Sequence, residues 1–240
     1  MNKNVFKRYE LKYVLTFEQY KNILEKIKDY LTLDKYGETT IQSLYYDTDT
    51  NLLIRNSIEK PIYKEKIRVR SYGLANQDSF VFLELKKKYE KVVFKRRISL
   101  KECDVEDLII RGISKDGSQI EKEILYFCSY YQNLKPNMLL LYDRTAYSKE
   151  GLDLRITFDR NVRYRTERLN LHSDLKGTLL LEEDQVLMEI KTGTAYPLWL
   201  TQVLSENRAY KRRFSKYGTA YQLELSKNLN REKKEEIVNV

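Results

Sequence analysis

The sequence predicts an α+β fold in which about eight antiparallel strands close into a barrel flanked by helices. Three observations carry this. First, charged residues of both signs recur at every second position along at least six apolar-backed segments. These are Arg8, Glu10 and Lys12; Lys66, Arg68 and Arg70; Glu84 and Lys86; Lys95 and Arg97; Arg155 and Asp159; and Glu189 and Lys191. Period two is the spacing of one face of a strand. Second, the strand-like stretches mostly follow one another as a meander, and closing such a sheet would remove its exposed edges. Third, 42% of the 240 residues are hydrophobic, with only three Pro and eight Gly. That supplies one sizeable core, argues against disorder and leaves no Gly/Ser- or Pro-rich linker. One domain is expected over residues 1–227, followed by a charged tail over 228–240.

Taken in order, Phe6 to Val14 reads as a strand. Thr16 opens a helix, Gln19 three residues on completes a capping box, and Tyr20, Ile23, Leu24, Ile27 and Leu31 form its apolar stripe. Ile41 to Asp47 is a strand, after which Asp49 or Thr50 is expected to cap a short helix. Tyr63 to Tyr72 is a strand and Gly73 to Asp78 a loop. Phe80 to Lys88 and Lys91 to Leu100 read as a hairpin, and helices follow over Val105–Arg111 and Gln119–Tyr131. Strand character returns at Met138–Tyr147, Leu152–Tyr164, Thr178–Leu181 and Val186–Lys191, with a turn at Glu150-Gly151 between the first two. Pro197 suits the first turn of a helix through Leu204. Ser215 caps a last helix through Leu225, and Arg231 to Val240 are expected to fray.

The net charge of +9 points to phosphate, nucleic acid or an anionic membrane surface without choosing among them. A solvated outer face accounts for any one of the charged strands. Six together suit a polar lumen, in which like charges repel unless an anion neutralises them. Such a lumen fits a polyanion held with a metal ion, and the composition leaves both readings open. Cys103 and Cys128 sit among apolar residues in helix-like segments, so two buried free thiols are expected rather than a disulfide framework. No stretch approaches the ~18 apolar residues of a membrane span, and Met1 to Tyr9 lacks the apolar core of a signal peptide. A cytoplasmic protein is therefore expected. His172 falls in an expected loop, and Trp199 lies at helical spacing with Leu200 and Val203, which suits packing. Lys211-Arg212-Arg213 reads as a solvated loop, and Lys87 belongs to the face opposite Lys86. No Gly-rich phosphate loop, Cys/His metal spacing or nucleophile elbow occurs.

The charged strands resemble, in their order, the triphosphate tunnel metalloenzymes, and more closely the polyphosphate polymerase domain of the vacuolar transporter chaperone (VTC) proteins. The resemblance runs from Phe6 to about Leu223. It rests on Arg8-Tyr-Glu10-Leu-Lys12-Tyr13, Ser43-Leu-Tyr45-Tyr-Asp47, Lys66-Ile-Arg68-Val-Arg70, Glu84-Leu-Lys86, Lys95-Arg-Arg97, Tyr142-Asp-Arg144, Arg155-Ile-Thr-Phe-Asp159, Glu189-Ile-Lys191 and Ser215-Lys216-Tyr217. Each piece alone is weak, and their order is specific. Hydrolases of the superfamily usually open with Glu-x-Glu-x-Lys. Here the first Glu position is Arg8, which favours the VTC-like subgroup. Eukaryotic members usually add a regulatory phosphate-sensing domain and membrane helices. Neither is visible here, so regulation and export are expected to lie outside this chain.

The resemblance implies an ATP-dependent polyphosphate polymerase whose tunnel binds ATP and polyphosphate or triphosphate. Arg68, Arg70, Lys12, Lys86 and Glu189 would be catalytic. Lys95, Arg97, Arg144, Arg155, Ser215 and Lys216 would bind substrate, with Lys216 holding product chain at a helix N-terminus, where free N–H groups favour anions. Glu189, with Glu10 second, would hold Mn²⁺ or Mg²⁺, hard ions that prefer oxygen ligands. Asp159 would pair with Arg155 or Arg144. Two other readings compete: an inorganic triphosphatase or polyphosphatase on the same tunnel, and a non-catalytic polyphosphate- or RNA-binding module. The last would interleave exposed aromatic and basic residues on an open surface. Here the basic residues are spread over many strands, so an enclosed site and no nucleic-acid partner are expected, with no expectation for oligomeric state.

Overall fold

The structure, a computed structural model, describes residues 9–59, 61–90, 92–193 and 195–238. Phe6, Arg8 and Lys91 of the expected strands lie outside them. Ten strands and six helices follow in the order β1 (Tyr9–Thr16), α1 (Phe17–Ile27), β2 (Thr32–Leu33), β3 (Thr39–Asp47), α2 (Leu52–Glu59), β4 (Tyr63–Tyr72), β5 (Phe80–Tyr89), β6 (Val92–Lys101), α3 (Val105–Ile109), α4 (Gln119–Tyr131), β7 (Lys135–Lys149), β8 (Leu152–Arg165), β9 (Thr178–Leu179), β10 (Gln185–Thr192), α5 (Leu198–Glu206) and α6 (Lys216–Val238). Hydrogen bonding orders the strands β1-β10-β8-β7-β3-β4-β5-β6, with β2 on β7 and β9 on β8.

The α+β class and the flanking helices are as expected; the closed barrel is not. The strand order is an open path ending at β1 and β6, and no pairing of those two closes it among the described residues. The two ends are managed in other ways. The Arg212 N–H donates to the Lys12 carbonyl at 2.8 Å, and Tyr13 forms a bridge with Lys211, so the segment read as a solvated basic loop covers part of the β1 edge. The β6 end carries Lys95, Arg96 and Arg97, charges that discourage edge pairing with another chain.

Packing divides the chain into two compact units: Met1–Gln42, Leu141–Arg163 and Leu175–Phe214 in the first, and Ser43–Leu140, Tyr164–Asp174 and Ser215–Val240 in the second. In the first, alternate residues of β1, β8 and β10 (Tyr13, Leu15, Ile156, Phe158, Met188 and Ile190) pack with Ile23 and Ile27 of α1 and Leu200 and Val203 of α5 in one apolar cluster. Fully burying such side chains contributes roughly 1.5–3 kcal/mol each. Trp199 packs against this cluster and stacks on Tyr30 at 4.1 Å. The expected capping box is present: Thr16 Oγ1 accepts from Gln19 N at 3.2 Å, and Gln19 Oε1 accepts from Thr16 N at 3.0 Å. In the second unit Ile67 and Val69 of β4 and Leu83 and Leu85 of β5 are fully buried. Here α2 packs on β4 and α6, while α4 packs on β6 and α3. On β4 and β5 Ile67, Val69, Leu83 and Leu85 take one face, where Glu65 and Lys87 extend the row, and leave Arg68, Arg70, Glu84 and Lys86 the other.

Three further expectations change. The start of α2 is capped neither by Asp49 nor by Thr50. Asp47, at the end of β3, accepts from Leu53 N and Ile54 N at 2.9 Å each, and Thr48 Oγ1 accepts from Leu52 N at 3.0 Å. The final helix does not stop at Leu225 but runs to Val238, so the boundary expected at 227/228 falls inside it. Good helix formers dominate that stretch, and Lys227 pairs with Glu224 one turn back at 2.9 Å. Cys103 is exposed, because it lies in a single 3₁₀ turn, Glu102–Asp104, rather than on a buried helix face. Cys128 is buried, and burial pushes its thiol up to about 12. Among the described residues no helix is long and apolar enough to cross a membrane.

Candidate functional site

The second unit gathers its charge around Glu84. Register sets this up: Arg68 of β4, Glu84 of β5 and Arg97 of β6 are successive cross-strand partners, as are Lys66, Lys86 and Lys95. Directly paired residues share one face of a sheet. The Glu84 residue is only 2% exposed. Its Oε2 accepts from Arg68 Nε at 2.8 Å and contacts Arg68 Nη2 at 2.7 Å, with Arg70 Nη1 at 4.0 Å. Its Oε1 contacts Lys95 Nζ at 2.5 Å and Arg97 Nε at 3.4 Å. Among the described residues, four cations thus meet one carboxylate.

Around them, Arg68 Nη1 donates to Tyr45 Oη at 2.8 Å, Arg70 Nε to Ser43 Oγ at 3.3 Å and Arg97 Nη2 to Tyr72 Oη at 3.3 Å. The Arg97 guanidinium also lies 3.6 Å from the Phe82 ring centre. Burial alone would raise the Glu84 carboxyl, but Arg68, Arg70 and Lys95 outweigh it and hold the group down at about 2. Lys95 is lowered from its ordinary value, first by burial and then by Arg68 and Arg70, with Glu84 opposing. Lys86 shares this face by register and is exposed. Lys87 points the other way and meets buried Glu65 at 3.3 Å, as its phase predicts.

The first unit gathers its charge around Glu189 of β10. Lys12 and Thr157 are its cross-strand partners on either side, and Glu10, Lys191 and Arg155 form the next row. Glu189, 5% exposed, contacts Lys12 Nζ at 3.4 Å, Arg144 Nη2 at 3.2 Å and Lys191 Nζ at 3.9 Å. Glu10 contacts the same two lysines at 3.3 and 3.9 Å. Arg144 is held by both oxygens of fully buried Asp159, at 2.5 and 2.7 Å. Burial works against the charge of Arg144, but Asp159, Tyr142 and Glu189 together raise its pKa. Between the two partners expected for Asp159, it is therefore Arg144 that pairs with it. Arg155 donates instead to Asp34 at 2.8 Å and is half exposed.

At the start of α6, Ser215 caps as expected: its Oγ accepts from Gly218 N at 3.2 Å and its carbonyl from Thr219 N at 2.7 Å. Lys216, the first residue of α6, is half-buried. His172 lies 3.7 Å from Glu102, away from both clusters.

The donor set around Glu189 fits a hard divalent ion only in part. Among the described residues no group of three or more His, Cys, Asp or Glu side chains could hold a metal. Glu189 and Glu10 supply carboxylate oxygens already shared with Lys12 and Lys191. Beside them, Thr157 Oγ1 is buried without a hydrogen-bond partner. An ion held here needs further oxygens from its substrate, as suits Mn²⁺ or Mg²⁺ bound with phosphate. The residues that reading the sequence left without a role are Ser43, Tyr45 and Tyr72, which fix the guanidinium groups. The first two stand in the Ser43-Leu-Tyr45-Tyr-Asp47 stretch, where alternation was the available signal.

The chain is similar to known proteins in sequence and in fold. The sequence profile of the VTC domain matches residues 7–225. The chain is 30% identical over 216 residues to vacuolar transporter chaperone complex subunit 4 of Trypanosoma brucei brucei (strain 927/4 GUTat10.1), a match covering 70% of this chain and 27% of that protein. It is 26% identical over 214 residues to the subunit of the same name from Schizosaccharomyces pombe (strain 972 / ATCC 24843), covering 71% and 29%. The chain thus spans less than a third of the length of these relatives. A crystal structure from Bacillus halodurans, of a protein provisionally designated an adenylate cyclase, superposes with a TM-score of 0.54 over 86% of this chain and 92% of that one at 13% identity. At that identity the likeness is one of fold.

Proposed function

This chain belongs to the VTC-domain family, and from that premise we propose that it is an ATP-dependent polyphosphate polymerase. It transfers the γ-phosphoryl group of ATP to the end of a polyphosphate chain. The observation that carries the reading is the convergence of Arg68, Arg70, Lys95 and Arg97 on the single buried carboxylate of Glu84. An excess of fixed cations in a half-buried setting suits a ligand with several negative charges. Arg supplies planar paired donors for phosphate oxygens, and Lys a point charge.

In the reaction a terminal phosphate oxygen of the growing chain attacks the γ-phosphorus, the bond from that phosphorus to the β,γ-bridging oxygen breaks, and ADP leaves with the electron pair. That oxygen is already ionised near neutral pH, so no dedicated base is needed. Positioning and charge stabilisation carry the catalysis. In the second unit Arg68 and Arg70 hold the reacting phosphates, with Lys86, Lys95 and Arg97 as further phosphate contacts, and in the first unit Lys12, Arg144 and Arg155 are phosphate contacts. Ser215 and Lys216 hold product chain. Glu189, with Glu10 second, is the carboxylate for Mn²⁺ or Mg²⁺, which when bound neutralises charge on the phosphates.

The test is ADP release from ATP across a manganese titration, in wild type and Glu189→Gln. Wild type should turn over ATP in a manganese-dependent way. The variant should lose about 100-fold or more, the scale seen when an electrostatic stabiliser is removed from a phosphoryl or acyl site. Its thermal unfolding should fall much less than that of a Glu84 variant, because Arg144 keeps both bonds to Asp159 and Lys12 and Lys191 keep their contacts with Glu10. Near-normal turnover of the variant at low Mn²⁺ would move the metal to Glu10. No turnover by wild type would overturn the reading.

A further inference from the structure

Two stretches of the family pattern, Ser43-Leu-Tyr45-Tyr-Asp47 and Ser215-Lys216-Tyr217, meet through Tyr45 and Tyr217, and Tyr217 has so far no function of its own. Both lie in the second unit. Alternation along β3 gives Ser43, Tyr45 and Asp47 a common face, and each meets a different partner there. Ser43 accepts from Arg70, Tyr45 accepts from Arg68, and Asp47 accepts from Tyr217 Oη at 3.0 Å across 170 residues of sequence.

Tyr217 is 2% exposed and its hydroxyl also accepts from Asn137 Nδ2 at 2.8 Å. Its ring stacks on that of Tyr45, with centroids 4.3 Å apart and planes 23° from parallel. Tyr45 is therefore fixed on one side by a buried, doubly hydrogen-bonded tyrosine and presents its hydroxyl oxygen to Arg68 on the other. Glu84 takes the Nε and Nη2 side of the same guanidinium.

We propose that Tyr45 is the positioning residue of Arg68, and that its stack on Tyr217 ties Arg68 to the start of α6, where Lys216 stands. Glu84 contacts one edge of the guanidinium, at Nε and Nη2. A third contact, at Nη1, sets its plane. The hydrogen bond has a charged donor and is largely buried, the class with the larger net contribution among side-chain hydrogen bonds. Because Tyr217 is the residue next to Lys216, whatever displaces the start of α6 acts on Arg68 through two stacked rings. The inference rests on the reading that Arg68 binds phosphate, and makes Tyr45 necessary to it.

The test uses inorganic tripolyphosphate as probe, with its affinity measured by calorimetry for wild type, Tyr45→Phe, Arg68→Ala and the double variant. Tyr45→Phe removes one oxygen and keeps the stack, so thermal unfolding should show the fold retained. Its affinity should fall about tenfold, the effect of roughly one charged hydrogen bond. Arg68→Ala should fall further, and the double variant should bind like Arg68→Ala alone, since Tyr45 acts only through Arg68. Tyr45→Phe binding like wild type, or losses that multiply in the double variant, would overturn the inference. So would a wild type that does not bind tripolyphosphate. A wild type that binds with the expected coupling but makes no polymer from ATP would support the role of Tyr45 and overturn the polymerase reading alone.

Discussion

Replacing Glu84 by glutamine is expected to destabilise the protein by about 3–5 kcal/mol near neutral pH, the cost of removing one partner from a buried ionic cluster. The substitution barely changes volume, so packing is not at issue. It leaves Arg68, Arg70, Lys95 and Arg97 around a neutral amide. The pH dependence gives this prediction its distinctive form. The folded-state carboxyl is depressed to about 2 from an ordinary 4.5. A depressed acid stabilises the fold above its unfolded value, and that contribution is lost as pH falls through the folded value. The gap between wild type and variant should therefore be full above pH 4.5 and shrink by about 3 kcal/mol towards pH 2. Urea unfolding of both proteins over that range measures it. Parallel curves would mean that Glu84 does not carry the cluster.

The second large effect separates the two ends of the proposed phosphate path. Arg68→Ala should raise the barrier to ADP release by ~2–4 kcal/mol, roughly 30- to 10³-fold in rate. Lys95 and Arg97 still hold Glu84 in that variant, so the fold should persist. Lys216→Ala should reduce ATP turnover much less and instead shorten the polymer or weaken its retention. Measuring ADP and product length side by side in the two variants checks this. Equal losses of turnover with unchanged product length would remove Lys216 from the product path.

What could be read in advance follows the range of the interaction that carries it. The capping box at Thr16 and Gln19 spans three residues, and it is present. The alternation of Lys66, Arg68 and Arg70 is a property of one strand, and these residues do share a face opposite buried Ile67 and Val69. Which cation meets which carboxylate is not local. Arg68, Glu84 and Arg97 meet because the turns after β4 and β5 set the register. Asp159 could have served Arg155, four residues before it in the same strand, yet it pairs with Arg144 on β7. The cap of α2 shows the same limit. Asp49 and Thr50 carry the local signal, whereas Asp47 is already aimed at the helix start by the end of β3. Sheet closure is hidden from the sequence for a similar reason. Alternation can show how many strands there are, but the β1 edge is met by residues 211–212, about 200 positions along the chain, which no strand periodicity reveals.

The central claim is tested most directly by the fate of the γ-phosphoryl group. The wild-type chain is incubated with ATP and Mn²⁺, ADP is quantified, and the phosphate lost from ATP is followed on a gel that resolves polyphosphate. The proposed function predicts that ADP accumulates and that the transferred phosphate is recovered as a ladder of chains longer than the three phosphates of the substrate. ADP matched only by orthophosphate would make water the acceptor and the protein a hydrolase. No ADP at all, with polyphosphate still bound, would make it a binding module.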